Sequence, residues 1–495
     1  MRQDLAVLVA LAAVPAVGSD GAGASESTVL FLDDRFIAKL TNLVPTLGEP
    51  ELLSVFRDPN ASNYVGWGYP SVIRATPQDP CRMLYQGYSN PKLILMAESD
   101  DCIHWRPSEL NRTDDGPNVL FASSAEQAFV FDDKAHAATP AERFNLLLSN
   151  GSRVCSADGL SWRLAGRWQA KGIDPGFSVF RRDGELVVES RPPILRQVTK
   201  TNAAQCAAVG GCGRHVGLNG GSSWEALGAK EPQRCLPVDK AYKNSDQIYG
   251  MPTFTYDDLY VSFLWRFHCQ PKKGENGNAE GCFSGGNNSA ELAYSYSGYN
   301  FTRFSPSDQP DAPATLFKNG PQGSPTFGQV YPNSLLRTSD GKMLVHASAS
   351  THQHGYCTGT CNKTSLPGEQ WSSLLTYGLR EDGFVGLRLA SAAAGPGIVT
   401  TRPLRWAGGE LFLNFAAVGS GSGIHVQILT EAGSVIPGYG DADAVPGHGD
   451  ELRFSPRWKG GKSMAALAGR VLVIEVEMVG AETELFAMRG AMTLA

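Results

Sequence analysis

Five times the chain writes a turn of acidic or small residues, a short spacer and then an aromatic. The copies are "AESDDCIHWRP" (97–107), "CSADGLSWRLAG" (155–166), "GLNGGSSWEALG" (217–228), "AYSYSGYNFTRF" (293–304) and, more loosely, "GLREDGFVGLRLA" (378–390). Asp and Gly accept the backbone angles of tight turns, so each unit reads as a hairpin connection. The aromatic that follows (Trp105, Trp162, Trp224, Phe301 or Phe384) reads as a plug between neighbouring sheets. Upstream of each unit come a β-branched or aromatic run, a turn and a second strand: "YPSVIRA", "EQAFVFDD", "DPGFSVFRRDGELVVES", "DQIYGMPTFTYDDLYVSFLW" and "GQVYPNSLLRTSDGKMLVHAS". Tyr69 to Trp105 and Glu126 to Trp162 each span 36 residues, and later units are lengthened by Cys- and Gly-rich insertions. The aromatics themselves recur at intervals of 57, 62, 77 and 83 residues, too long for a solenoid and suited to four-stranded blades. The pattern predicts an all-β chain with a five-bladed β-propeller over residues 29–392.

The texture changes after "AAAGPG" at 392–397. "IVTTRPLRWAGGELFLNFAA", "GIHVQILTEAGSVIPGY", "ELRFSPRWKG" and "RVLVIEVEMVGAETELFAMRG" are alternating strands between Gly-rich turns, which predicts a small C-terminal β-sandwich over 395–495. At the other end, Arg2, an apolar run from Leu5 to Val17 and the small residues Ala16 and Gly18 have the layout of a secretory signal peptide over 1–18. A secreted, extracellular protein is expected, with no membrane span. The formal charge of −6 argues against nucleic acid or an anionic membrane as partner. Sequons at Asn60, Asn111, Asn150, Asn287, Asn300 and Asn362 permit glycosylation. Ten Cys in an exported chain suggest disulfides, and "CAAVGGC", Cys269–Cys282 and Cys357–Cys361 each read as loop staples. Their gaps do not form paired zinc knuckles.

Several segments match a pattern: "LFLDDRFI", "AESDDCIHWRP", "QIYGMPTFTY", "GLREDGFVGL", "GIVTTRPLRWAGGELFLNF" and "LAGRVLVIEVEMVGAETELFAM". In this order the chain resembles secreted glycosyl-hydrolase-like proteins, abundant in planctomycete-type bacteria, whose five-bladed propeller is related to the glycoside hydrolase 32/43 folds. Cys102, where that pattern has Gly, and the Cys-rich insertions at 204–235 and 269–282 depart from it. The resemblance implies a carbohydrate substrate or ligand and no cofactor.

In a propeller the first residues of the innermost strands cluster at one mouth of the tunnel. Here they include three carboxylates, Glu126, Asp174 and Asp246, the expected catalytic set. Glycoside hydrolysis needs one carboxyl to protonate the leaving oxygen and another to attack or to activate water. Trp67, Tyr69, Tyr249, Gln329 and Tyr331 fall at equivalent points and are the expected substrate-binding residues, with Trp67 as a sugar-stacking platform. Arg191 in "ESRPP", placed with the substrate-binding set, and Arg266 in "FLWRFH" could each hold a uronate or sulfate group or neutralise an acid, and neutralisation is the expected role. Asp33 and Asp34 are a rival carboxylate pair before the strand expected to close the ring. "FRDP" (56–59) copies an Arg-Asp-Pro motif but stands ahead of the first inner strand, and is read as coincidence. His346, His352 and His354 lack an acidic companion, so no metal site is expected. A non-catalytic carbohydrate-binding or matrix protein is the alternative, and a sialidase-like enzyme, suggested by "SADGLSW", a further one.

Overall fold

The computed structural model describes residues 26–59, 65–87, 91–123, 125, 127–169, 178–190, 217–229, 233–234, 236, 246–269, 286–306, 314–354 and 371–495. Among them the architecture is all-β, with only short 3-10 turns as helix. Antiparallel meanders follow one another along the chain. The first joins Ser71–Ile73, Cys81–Gly87, Lys92–Ser99 and Arg106–Pro107, with Val119–Ser123 also on the third strand. The second joins Gln127–Asp132, Phe144–Leu148, Ser152–Ser156 and Arg163–Arg167, and the third Val179–Arg182, Glu185–Ser190, Gly217–Gly221 and Gln233–Arg234.

In the fourth meander Asp246–Gly250 and Thr253–Tyr256 both pair with Leu259–Cys269, which pairs with Gly286–Ser295. The fifth runs Gln329–Arg337, Lys342–Ser350, Ser372–Arg380 and then back to Glu51–Phe56 near the chain start. One parallel pair, Asn288 with Gln329, joins the last two meanders. Second strands such as Cys81–Gly87 are buried at every residue, as packing on both faces requires.

The five aromatics tie this propeller-like arrangement together. Each follows the third strand of its own meander and packs against the meander before it. The Trp105 indole donates to Thr376 Oγ1 at 3.0 Å in the fifth meander. Trp162 packs with Ile73, Leu84 and Ile94 of the first. Trp224 lies 6.2 Å from Phe131 of the second, measured between ring centres. Phe301 packs with Phe180, Val187 and Leu218 of the third, and Phe384 meets Tyr256 of the fourth edge-on at 5.1 Å.

The turns that present them share a construction. Asp101 Oδ1 accepts the Ile103 and His104 N–H groups and the Ser99 hydroxyl, and Asp158 Oδ1 accepts those of Leu160, Ser161 and Ser156. The next residue has positive φ: 62° at Cys102 and 76° at Gly159. A Cβ at Gly159 would stand 2.4 Å from Ile73 Cδ1, so that position excludes a side chain. Cys102 is accommodated differently, through a disulfide to Cys81 with Cα atoms 5.3 Å apart. Neighbouring Cys residues in sequence had suggested other pairs. Those staples lie outside the described residues apart from the Cys269 backbone, and the remaining described cysteine, Cys155, is a buried free thiol.

The pairing crosses the boundary read at 392–397. A ten-stranded sheet collects Gly397–Thr401, Leu404–Ala417, Gly423–Thr430, Gly449–Phe454, Val471–Val479 and Thr483–Leu494, but also Ser27–Val29, Ile37–Thr41, Leu43–Leu47 and Val385–Leu389. Its longest path holds seven strands and begins and ends with Ile37–Thr41 and Leu43–Leu47, which are consecutive in the chain, so the sheet nearly closes into a barrel. The strand that completes the fifth meander is therefore Glu51–Phe56, not the one after Asp33 and Asp34. Alternation explains why these strands form: in Val471–Val479 the outward Glu475 and Glu477 are half-buried, while Ile474, Val476 and Met478 point into the core.

Candidate functional site

The two ends of the fourth and fifth meanders differ in what covers them. At one end Arg489 of the barrel-like sheet is buried between Asp382 and Asp257, 2.6 Å from the latter. The Tyr256 hydroxyl donates to Asp382 at 2.7 Å, and Arg337 reaches Asp257 at 2.6 Å. Burial works to raise the pKa of Asp257, but the Arg489 and Arg337 guanidinia outweigh it and hold the carboxyl below its ordinary value. Val29, Leu30, Phe31 and Phe36 pack into the core beside Tyr256, Leu259 and Val261. Asp33 belongs to this end: it accepts the Tyr296 hydroxyl at 3.2 Å. Tyr294, six residues along its strand from Asn288, puts this end about 20 Å from the other. Asp33 and Asp34 are thus remote from the remaining candidates.

At the opposite end an aromatic and amide cluster assembles from the first, fourth and fifth meanders. Trp67 Nε1–H donates to Gln329 Oε1 at 3.0 Å, and the Tyr331 hydroxyl donates to the same oxygen at 2.7 Å. Gln329 Nε2 donates to the His352 carbonyl at 2.8 Å, and Asn288 Nδ2 to the Tyr331 oxygen at 2.8 Å. His354 lies 5.4 Å from the Trp67 ring and 5.3 Å from Tyr249, whose hydroxyl is 3.2 Å from His354 Nε2. Tyr69 stacks on Trp265 at 5.3 Å and meets Tyr331 edge-on at 5.7 Å.

Burial divides this cluster by role. Tyr69, Tyr249, Gln329, Tyr331 and His354 are buried, and Trp67 is half-exposed. Tyr69 has φ 43°, the left-handed region, where a bulky side chain costs about 1–2 kcal/mol; strain of this kind collects at functional sites. A chain of donors and acceptors fixes the tilt of this half-exposed indole.

Of the expected catalytic carboxylates, Glu126 and Asp174 lie outside the described residues, as does Arg191. Asp246 is described by its backbone, which pairs with His268 at the head of the fourth meander. Glu189 and Glu291 are among the buried carboxylates that the sequence reading passed over. Glu189 Oε1 accepts the Met251 N–H at 2.7 Å and Oε2 the Ser178 hydroxyl at 3.3 Å, tying the third meander to the fourth. Glu291 sits between Arg266 and Arg303, each at 2.7 Å, so Arg266 does neutralise an acid. The alternation of "AELAYS" puts Glu291 on the face opposite Ala290, Leu292 and Tyr294, and no signal in the sequence marks that face as buried too.

The Arg-Asp-Pro copy is a structural latch. Asp58 is buried and accepts the Tyr85 hydroxyl at 2.6 Å and Asn118 Nδ2 at 2.8 Å. Burial and the Asp58 charge push the Tyr85 phenol well above its ordinary pKa. His346 stands apart from His352 and His354: it is enclosed beneath Trp105, and its Nε2–H donates to the Cys102 carbonyl at 2.9 Å. Among the described residues no three His, Cys, Asp or Glu side chains gather to hold an ion, and no helix is long and apolar enough to cross a membrane.

No family model matches the chain, and no curated protein matches it. Among solved structures it is similar to one described as a glycoside hydrolase, at 12% identity and a TM-score of 0.37, over 67% of this chain and 92% of that one. It is also similar to a glycoside hydrolase family 43 arabinoxylan arabinofuranohydrolase from Bacillus subtilis in complex with cellotetraose, at 11% identity and 0.35, over 88% and 98%. A third is a family 117 glycoside hydrolase from the marine bacterium Zobellia galactanivorans, at 10% identity and 0.35, over 70% and 92%.

Proposed function

We propose that the chain is a secreted, glycoside-hydrolase-like protein built as a five-bladed β-propeller on a C-terminal β-sandwich, and that it engages a glycan at the propeller mouth. The observation that carries this reading is the half-exposed Trp67 indole, fixed by Gln329 and Tyr331 at the end the C-terminal sheet leaves uncovered. A sugar's C–H face packs on such a ring. In this reading Trp67 is the platform, Tyr249 and His354 border it, and Tyr69, Gln329 and Tyr331 hold it in place. Glu126, Asp174 and Asp246 supply the acid and the nucleophile or base, with Arg191 beside them. The signal-like segment over 1–18 and the Cys81–Cys102 disulfide support export.

A purely carbohydrate-binding role is the second reading. It is favoured by Glu189 and Glu291, whose carboxylates are occupied by backbone, hydroxyl or guanidinium groups. Screening the protein against a polysaccharide panel, beside Trp67→Ala, Asp174→Asn and Asp246→Asn, separates the two. Turnover lost in either Asp variant with binding retained supports the hydrolase. Binding without turnover in the wild type, weakened only by Trp67→Ala, leaves the binding protein. Binding unaffected by Trp67→Ala removes the mouth as the glycan site.

A further inference from the structure

A second concave site lies between the outer parts of the first and second meanders, away from the mouth. It is a cleft of about 210 Å³ with Phe121, Val154 and Trp162 among its walls, and Arg112, Arg163 and Leu164 as its exposed members. Its size is below the ~300 Å³ at which pockets for drug-sized ligands begin, and suits a single ring. Trp162 is anchored by its indole N–H to the Gly159 carbonyl at 3.0 Å and stays half-exposed. Leu164 is 68% exposed, an apolar side chain left open among the described residues.

The charged side chains that line the cleft are both arginines, in a chain of net negative charge. Arg112 donates through one nitrogen, Nη1, to the Leu160 carbonyl at 2.6 Å, which fixes the guanidinium at the cleft. Arg163 is 3.7 Å from Glu142, a carboxylate that Arg153 approaches more closely, at 3.4 Å. Asp158, four residues before Trp162, has its Oδ1 engaged by two backbone N–H groups and a hydroxyl. Asp114 and Asp115 do not line the cleft.

We propose that this cleft is a binding site for a saccharide unit carrying a carboxylate or sulfate group. The indole and Leu164 take the C–H face of the ring, and Arg112 and Arg163 take the anion through fork-shaped donors that suit both oxyanions. The site is independent of the mouth: it uses none of the residues around Trp67.

Calorimetric titration of the full chain tests this with a glucuronate oligosaccharide, a sulfated galactan oligosaccharide and a neutral xylo-oligosaccharide. In the Trp67→Ala background, which removes the mouth platform, at least one anionic ligand should bind saturably and the neutral one should not. Binding should weaken at least tenfold in the Arg112→Gln/Arg163→Gln double variant, weaken in Leu164→Asp, and fall with added salt. It should persist in Trp67→Ala. Both arginines are exposed, so unchanged thermal unfolding of the double variant checks that the fold is intact. Which anion binds distinguishes uronate from sulfate. Absence of binding to either anionic ligand, equal binding of the neutral one in the Trp67→Ala background, wild-type affinity in the double variant, or loss in Trp67→Ala instead would each overturn the proposal.

Discussion

Acidification from pH 7 to 4 probes a neutral imidazole locked inside the fold. His346 is fully enclosed, its Nε2–H donates to the Cys102 carbonyl, and Nδ1 has no hydrogen-bond partner. Burial drives its pKa down from 6.5 to about 4, against a smaller upward pull from the Cys102 carbonyl. An unfolded chain takes up this proton near pH 6.5, so between there and pH ~4 the unfolded state binds more protons than the folded one. Stability is therefore intact above pH 6.5 and falls as pH falls through the window. At about 1.4 kcal/mol per pH unit the loss reaches about 3 kcal/mol.

Other groups titrate on either side of this effect. Burial alone would raise the pKa of Asp101 and Asp158, but the hydrogen bonds they accept hold both low, so their contribution is lost below the ordinary carboxylate range. Asp258 and Glu484, held high by burial, favour the folded state as they protonate. The difference between wild type and His346→Gln isolates the imidazole, because the glutamine amide retains a donor for the Cys102 carbonyl. Urea unfolding at pH 7, 5.5 and 4 should show the variant losing about 3 kcal/mol less than the wild type across the window. Parallel pH profiles would refute the reasoning, as would an imidazole proton resonance titrating near pH 6.5.

Phe301→Ala should lower unfolding stability by about 3–5 kcal/mol, since the ring is fully buried between the third and fourth meanders; the half-exposed Trp162 should cost less. Denaturant titrations of both variants check the order. Opening the Cys81–Cys102 disulfide, whose partners are 21 residues apart, should cost about 3 kcal/mol, read as a drop in thermal midpoint under reductant. Arg489→Met should cost about 3–5 kcal/mol because it leaves Asp382 buried without its guanidinium, and adding Asp382→Asn should recover part of that. Equal stability of the single and double variants would count against the buried pair.

Where a short turn and its aromatic sit together in sequence, the fold could be read directly. Ser156, Asp158, Gly159 and Trp162 form a local unit whose hydrogen bonds span at most three residues, so composition alone exposes it. The gathering of Trp67, Tyr249, Gln329 and Tyr331 followed from their equal places in successive repeats. Pairings between distant segments were not readable: alternation announces a strand but not its partner. Val385–Leu389 follows its aromatic just as Arg106–Pro107 does, yet it pairs with Leu43–Leu47 and Thr483–Leu494. Cys102 likewise gave no hint of Cys81, because only the closely spaced cysteines at 206–212, 269–282 and 357–361 read as loop staples.

The return of Glu51–Phe56 to the last meander has a bearing on how the chain is made. Its partner, Ser372–Arg380, emerges from the ribosome roughly three hundred residues later, on the order of tens of seconds at ordinary elongation rates. Ser27–Val29 waits longer still, for Thr483–Leu494. During that interval an early strand with apolar residues such as Leu52, Val55 and Phe56 has an open hydrogen-bonding edge and no mate. A nascent chain of this protein therefore needs shielding at its beginning until its end is synthesised. A message cut short before residue 372 would yield a product whose ring cannot be sealed and whose orphaned edge invites aggregation.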